Sequence, residues 1–198
     1  MTIVGAAPTL RIPVAMDLLW SRGNWLRPAM LVALGSVLLA ASAKVQLPFW
    51  PVPMTMQSLV VILIGIAYGS RLGAAAVLAY LAEGLAGLPV FASTVAGPSY
   101  MAGPTGGYLV GFVLGAACVG WLAERGWDRT IVRATVATAL GHVLLFVPGV
   151  AWLAVLFGWP KAIAFGVTPF IAATIVKTFL GAALIAAFWS ILGRRRSA

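Results

Sequence analysis

Apolar residues run in long blocks along this chain, and charged residues collect in the short segments between them. A bilayer-spanning helix needs ~20 mostly apolar residues, with tolerance down to about 17. Six blocks meet or approach that length: residues 28–45, 54–69, 72–88, 106–123, 131–147 and 168–192. Each predicts a membrane-crossing helix. The second is short, so it is expected to tilt or to begin inside its preceding loop. The stretch 151–159 is apolar but bounded by Pro148-Gly149 and Pro160. It is too short to span and is expected to be interfacial or re-entrant.

The charges order these blocks. Arg11, Arg22 and Arg27 precede the first, Arg71 follows the second, Arg125, Arg129 and Arg133 follow the fourth, and Arg194, Arg195 and Arg196 end the chain. With both termini on one side, all ten arginines share that side, which is the cytoplasm by the positive-inside rule. Lys44 and Lys161 fall at the opposite, outer ends, and Lys177 lies within the sixth block. The expected architecture is an all-α integral membrane protein with one membrane domain over 1–198. It comprises a cytoplasmic N-terminal segment (1–27), a six-helix bundle (28–192) and a basic cytoplasmic tail (193–198). The run "MLVALGSVLLAASAK" also resembles a secretory leader, but the long stretch before it favours a retained span.

Composition agrees. The chain is 62% hydrophobic and 9% charged, whereas soluble proteins carry about 25% charged residues. The net charge of +9 is accounted for by the orienting arginines, so it does not point to nucleic acid. Cys118 is the single cysteine. It sits among small apolar residues, which excludes a disulfide within the chain and fits a packed side chain. There is no nucleophile motif, metal-ligand spacing or phosphate-binding loop, so neither an enzyme nor a cofactor is expected. Uphill transport would draw its energy from another subunit or an ion gradient. A channel would need polar faces through the full depth, and here they concentrate in the outer half.

The outer segments are unlike solvated connectors. They read "QLPFWPVPM", "GLPVFASTVAGPSYMAGPTGG" and "PGVAWLAVLFGWPKAIAFGVT". Taken singly, Trp50, Trp152 and Trp159 fit an interfacial aromatic belt. Three such segments on one face favour a lid over an outward-facing pocket.

Within the sixth block Thr174, Lys177, Thr178 and Gly181 share one helix face. Lys177 lies nine residues after Thr168, about 14 Å deep at ~1.5 Å per residue. An ammonium there costs about 2.5–3.5 kcal/mol, so it needs a partner. Two partners are open: the carboxylate of a substrate, or Glu83 on the third block. On the fifth block Thr135, Thr138 and His142 share a face, which an inter-helix hydrogen bond would explain. Gly107, Gly111 and Gly115 form a tandem small-residue stripe expected to pack internally. Ala29/Ala33 and Ser36/Ala40 form another on the first block, where a partner membrane subunit could dock.

The segment "LPFWPVPMTMQSLVVILIGIAYGSRLGAAAVLAYLAEGLAGLPVFA" and the later "GPTGGYLVGF" resemble the BioY family, the biotin-binding S components of energy-coupling-factor (ECF) transporters. The resemblance covers about residues 33–177. It implies a six-helix S-component fold, multi-pass in the bacterial cytoplasmic (inner) membrane, with biotin as the transported ligand. It implies a transmembrane T component docked on the first helix, at Ala29/Ala33 or Ser36/Ala40, and two cytoplasmic ATPase subunits. Some members are thought to act alone. An S component for another carboxylated vitamin, and a homo-oligomer, remain open. The family's Asp-x-x-Lys element appears here as Thr174-Ile175-Val176-Lys177. The lysine is kept, and a hydroxyl stands where the family has an acid. By resemblance Lys177 meets the biotin carboxylate. Gln57, Thr55, Tyr108 or Glu83 would meet the ring polar groups, and Phe49, Trp50 and Phe91 would close the lid.

Overall fold

The structure, a computed structural model, describes residues 13–19, 26–93 and 95–196. A short helix α1 (Ala15–Leu19) precedes α2 (Leu26–Lys44). Two short antiparallel strands follow, β1 (Gln46–Leu47) and β2 (Met54–Thr55), with Gln46 opposite Thr55. Then come α3 (Gln57–Tyr68), α4 (Ser70–Leu85), α5 (Pro98–Ala102), α6 (Gly106–Ala123), α7 (Ile131–Phe157) and α8 (Trp159–Gly166). A single 3-10 turn, Thr168–Phe170, leads into α9 (Ile171–Arg196). The block at 54–69 therefore does begin in its loop.

Among the described residues, four helical stretches are long and apolar enough to cross a membrane: Leu26–Lys44, Gly106–Ala123, Ile131–Phe157 and Trp159–Ile191. The helices α3 and α4, of 12 and 16 residues, are shorter than the blocks that predict them. They meet at Gly69, whose φ of 84° lies in the left-handed region that glycine tolerates. Ser70, at the start of α4, donates to Glu124 from both its backbone N–H and its hydroxyl, each at 2.9 Å.

The fifth element differs from its expectation. Residues 151–157 are not a separate segment; they continue α7 past Pro148. A proline removes one backbone donor, and membrane helices tolerate this where neighbours compensate. Here α6 supplies close packing on both sides of the proline. Gly107 lies against the Pro148 carbonyl and Trp152, and the Tyr108 ring fills the space beside Gly149. Trp152 Nε1 donates to Gly103 O at 2.9 Å. The helix stops at Gly158, φ 83°.

The stripe Gly107, Gly111 and Gly115 faces α7 along its length, against Pro148, Leu145 and Gly141 in turn. The stripe on α2 divides. Ala29 and Ala33 are exposed, whereas Ser36 is fully buried and Ala40 half-buried. The expectation that Ser36/Ala40 could form the docking pair is corrected. There α4 crosses α2: Gly35 seats against Ala76, and Ser36 Oγ donates to Glu83 Oε2 at 2.5 Å.

At the end where α2 begins, Arg129 closes a small cluster. Its guanidinium lies 3.6 Å above the Trp189 ring and donates to Pro13 O at 2.7 Å. Trp189 Nε1 donates to Asp128 Oδ2 at 2.9 Å. Burial holds the Asp128 carboxyl above the ordinary carboxylate range, against the opposing pull of Arg129 and the Trp189 N–H. The folded state therefore holds this proton more tightly than the unfolded chain. Stability should fall as pH rises from the ordinary value of 3.8 through the raised one, then level off. Thermal unfolding in detergent across this range should show a more negative dependence on pH in wild type than in Asp128→Asn.

Candidate functional site

Several polar side chains converge where α3, α6 and α9 begin. They line a cavity of about 60 Å³. β2 and α3 contribute Thr55, Gln57 and Ser58; α9 contributes Thr174 and Lys177. Tyr100 of α5, Tyr108 and Phe112 of α6, and Phe146 of α7 supply an aromatic wall, and Phe170 completes it.

Lys177 is 9% exposed. Its Nζ donates to Thr55 O at 2.5 Å and to Ser58 Oγ at 3.1 Å. An ammonium has three hydrogens, so two are met by neutral acceptors. The ion pairs seen among the described residues are Arg27–Asp17 and Arg129–Asp128, and neither involves Lys177. The alternative of a Lys177–Glu83 pair is thus corrected. Glu83 projects from α4 towards α2, where it accepts from Ser36, and it does not line the cavity.

Gln57 is buried and its carboxamide is fixed at both ends. Nε2 donates to Tyr80 Oη at 2.7 Å, Tyr80 Oη donates to Val90 O at 3.3 Å, and Thr55 Oγ1 donates to Gln57 Oε1 at 3.2 Å. Tyr108 presents its ring to the cavity, but its hydroxyl proton is committed to Gly166 O at 2.8 Å. Tyr108 therefore ties α6 to the end of α8 rather than offering a free donor.

The aromatic residues split into lid and support. Phe49 and Trp50 lie on the loop between β1 and β2, and Trp50 is 72% exposed. Phe49 sits 6.4 Å from Phe170, which in turn sits 6.1 Å from Phe146. Trp50 meets Phe165 at 5.7 Å and Phe157 at 6.1 Å. These contacts bridge the β1–β2 loop to α7 and α8 above the cavity. Phe91 is corrected from lid to core: it is fully buried, stacked at 4.6 Å on Tyr100 and edge-on at 5.5 Å to Tyr80. It supports the wall from behind, where its carbonyl accepts from Lys44 Nζ at 2.6 Å.

Ser58, Tyr100, Thr105, Phe112, Phe146 and Phe170 line the cavity but were not singled out from sequence. Ser58 adjoins Gln57, and Thr105 lies within Gly-Pro-Thr-Gly-Gly-Tyr, so those two carried a signal. The phenylalanines carried none, because one Phe in an apolar run looks like any other.

The family model matching this chain is that of the BioY family, over residues 14–194. The chain belongs to the BioY family. It is 34% identical over 163 residues to "Biotin transporter BioY2" of Lactococcus lactis subsp. cremoris, covering 79% of this chain and 89% of the relative. It is 38% identical over 152 residues to "Biotin transporter BioY" of Thermotoga maritima, covering 76% and 88%. A crystal structure of the S-component for biotin from an ECF-type ABC transporter superposes with a TM-score of 0.71 at 19% identity. That match covers 86% of this chain and 95% of the other, and it extends to this BioY chain the S-component fold. With its long apolar helices, the chain is a multi-pass membrane protein.

Proposed function

We propose that this BioY chain is the substrate-binding S component of an ECF-type biotin transporter and serves biotin uptake across the cytoplasmic (inner) membrane. The observation that carries the reading is Lys177: a buried cation at a cavity wall, held among the described residues by a carbonyl and a hydroxyl. Sites for small amphiphiles combine an apolar lining with a few placed polar groups. Biotin has one carboxylate, an apolar body and a polar ring. The carboxylate meets Lys177, with the hydroxyls of Ser58 and Thr174 beside it. The ring's polar atoms meet the Gln57–Thr55 end. Glu83, Phe91 and the Tyr108 hydroxyl have no direct part in this reading.

A cavity of about 60 Å³ is smaller than the ~300–1,000 Å³ usual for small-molecule sites. Loading therefore requires the β1–β2 loop, with Phe49 and Trp50, to lift from Phe170 and Phe165. A transmembrane T component would dock on Ala29 and Ala33, the exposed part of the small-residue stripe on α2, and two ATPase subunits would join it.

The test is binding of labelled biotin to the purified chain in detergent, with biotin methyl ester as competitor. Tight binding of the acid with weak competition by the ester supports the reading. Ester competing as well as acid would refute a carboxylate-reading site, and no binding of biotin at all would refute the substrate. The Gln57 end is tested separately. Tyr80→Phe removes the acceptor of Gln57 Nε2 and frees the carboxamide to turn. A lost buried hydrogen bond of this kind is worth ~1 kcal/mol, so an affinity loss of about fivefold is expected by isothermal titration, with the acid-to-ester ratio unchanged.

A further inference from the structure

Lys177 reaches the cavity only if α9 keeps one rotation about its own axis. Around Lys177 the packing that would fix that rotation is incomplete. On one side Gly181 seats against Leu59 of α3 and Thr138 of α7. On the other, α7 and α9 part to leave an apolar groove of about 750 Å³, lined by Val143, Val147, Ile175 and Phe179 among others. At the back of that groove stands one polar strut. His142 of α7, 2% exposed, has its Nδ1 3.1 Å from Thr138 O and 3.1 Å from Thr178 Oγ1. The carbonyl can only accept. The Thr178 hydroxyl spends its own proton on Thr174 O at 2.8 Å. Nδ1 therefore carries the proton and donates to both. Among the described residues this is the side-chain hydrogen bond that joins α9 to α7, and it falls on the residue next to Lys177. Nε2 is left buried without a partner.

We infer that His142 is a positioning residue for the substrate site: through Thr178 it holds α9 in the rotation that turns Lys177 and Thr174 into the cavity. Thr174 of α9 lines both the cavity and the groove, so a rotation of α9 would carry its hydroxyl away from the carboxylate together with the ammonium. The inference rests on the reading that Lys177 receives the substrate carboxylate, and it adds the group that aims it.

The experiment measures equilibrium binding of biotin and of biotin methyl ester to the full chain in detergent. It compares wild type, His142→Asn, His142→Gln and His142→Leu, each with and without Lys177→Ala. The Asn amide can replace the Nδ1 donor; the Gln amide extends towards the Nε2 position and cannot. Leu and Gln are expected to lose about tenfold on the acid and nothing on the ester, Asn to stay near wild type, and neither loss to persist in the Lys177→Ala background, as coupled residues behave in a double-mutant cycle. Equal losses on acid and ester, or losses that persist without Lys177, would overturn the positioning role and leave His142 a packing residue. A wild type that does not prefer acid to ester would overturn the carboxylate reading and this inference together. If Leu does not yield folded protein, the Asn–Gln contrast decides alone.

Discussion

Lys177→Ala is expected to weaken biotin binding at least about tenfold and to abolish the preference for the acid over its methyl ester. Truncating one partner of a buried charge pair costs about 2–5 kcal/mol, much of it the price of leaving the other charge without a counterion. In this site the stranded charge would be the carboxylate, facing Ser58 and Thr174, which offer hydroxyls but no positive charge. The free protein should tolerate the change. The ammonium is held by neutral groups only, so removing it also removes the cost of burying an ion. Thermal unfolding close to wild type, with lost affinity for the acid alone, is the expected pair of results. Unchanged affinity for biotin would make Lys177 a structural residue, whose work is to tie α9 to Thr55 and Ser58.

The elements most legible in the sequence are those whose physics is one-dimensional. Lys177 stood out because a charge within an apolar run is costly wherever the run folds. Thr55 and Gln57 are legible through the resemblance to the BioY family rather than through such a physical signal. Where the expectations failed, the missing quantity was rotation about a helix axis or the course of a loop. Residue spacing along α4 gives the depth of Glu83 but not that its carboxyl turns to Ser36. On α2 the same stripe continues from Ala29 to Ala40, but α4 covers only its later half. Phe91 looked like lid because its loop is aromatic, yet the loop folds inward and buries it against Tyr80 and Tyr100. The extension of α7 past Pro148 was hidden because proline breaks helices in water, while here the facing glycine of α6 lets the two backbones close around it.

That close approach makes Gly111→Val a change that damages the fold itself. A Cβ at Gly111 would overlap the carbonyl oxygen, carbonyl carbon and Cα of Leu145. All three are backbone atoms of α7, so no side chain can swing away and the helices must separate. Overpacking a tight core costs about 1–3 kcal/mol and occasionally more; the rigid obstacle puts this position at the upper end, ~3 kcal/mol. Separation would spread along the whole stripe, because Gly107 and Gly115 depend on the same spacing. Near Gly107 it would pull Trp152 from Gly103 O; near Leu145 and Phe146 it would open the cavity wall. A large fall in the unfolding temperature in detergent, with acid and ester affinity lost together, is the expected signature. It contrasts with Lys177→Ala, where only the acid is lost. Gly111→Ala meets the same atoms with a smaller group, so an intermediate loss is expected. If Gly111→Val unfolded at the wild-type temperature, α6 and α7 would not pack through this stripe, and the course of α7 past Pro148 would need another support.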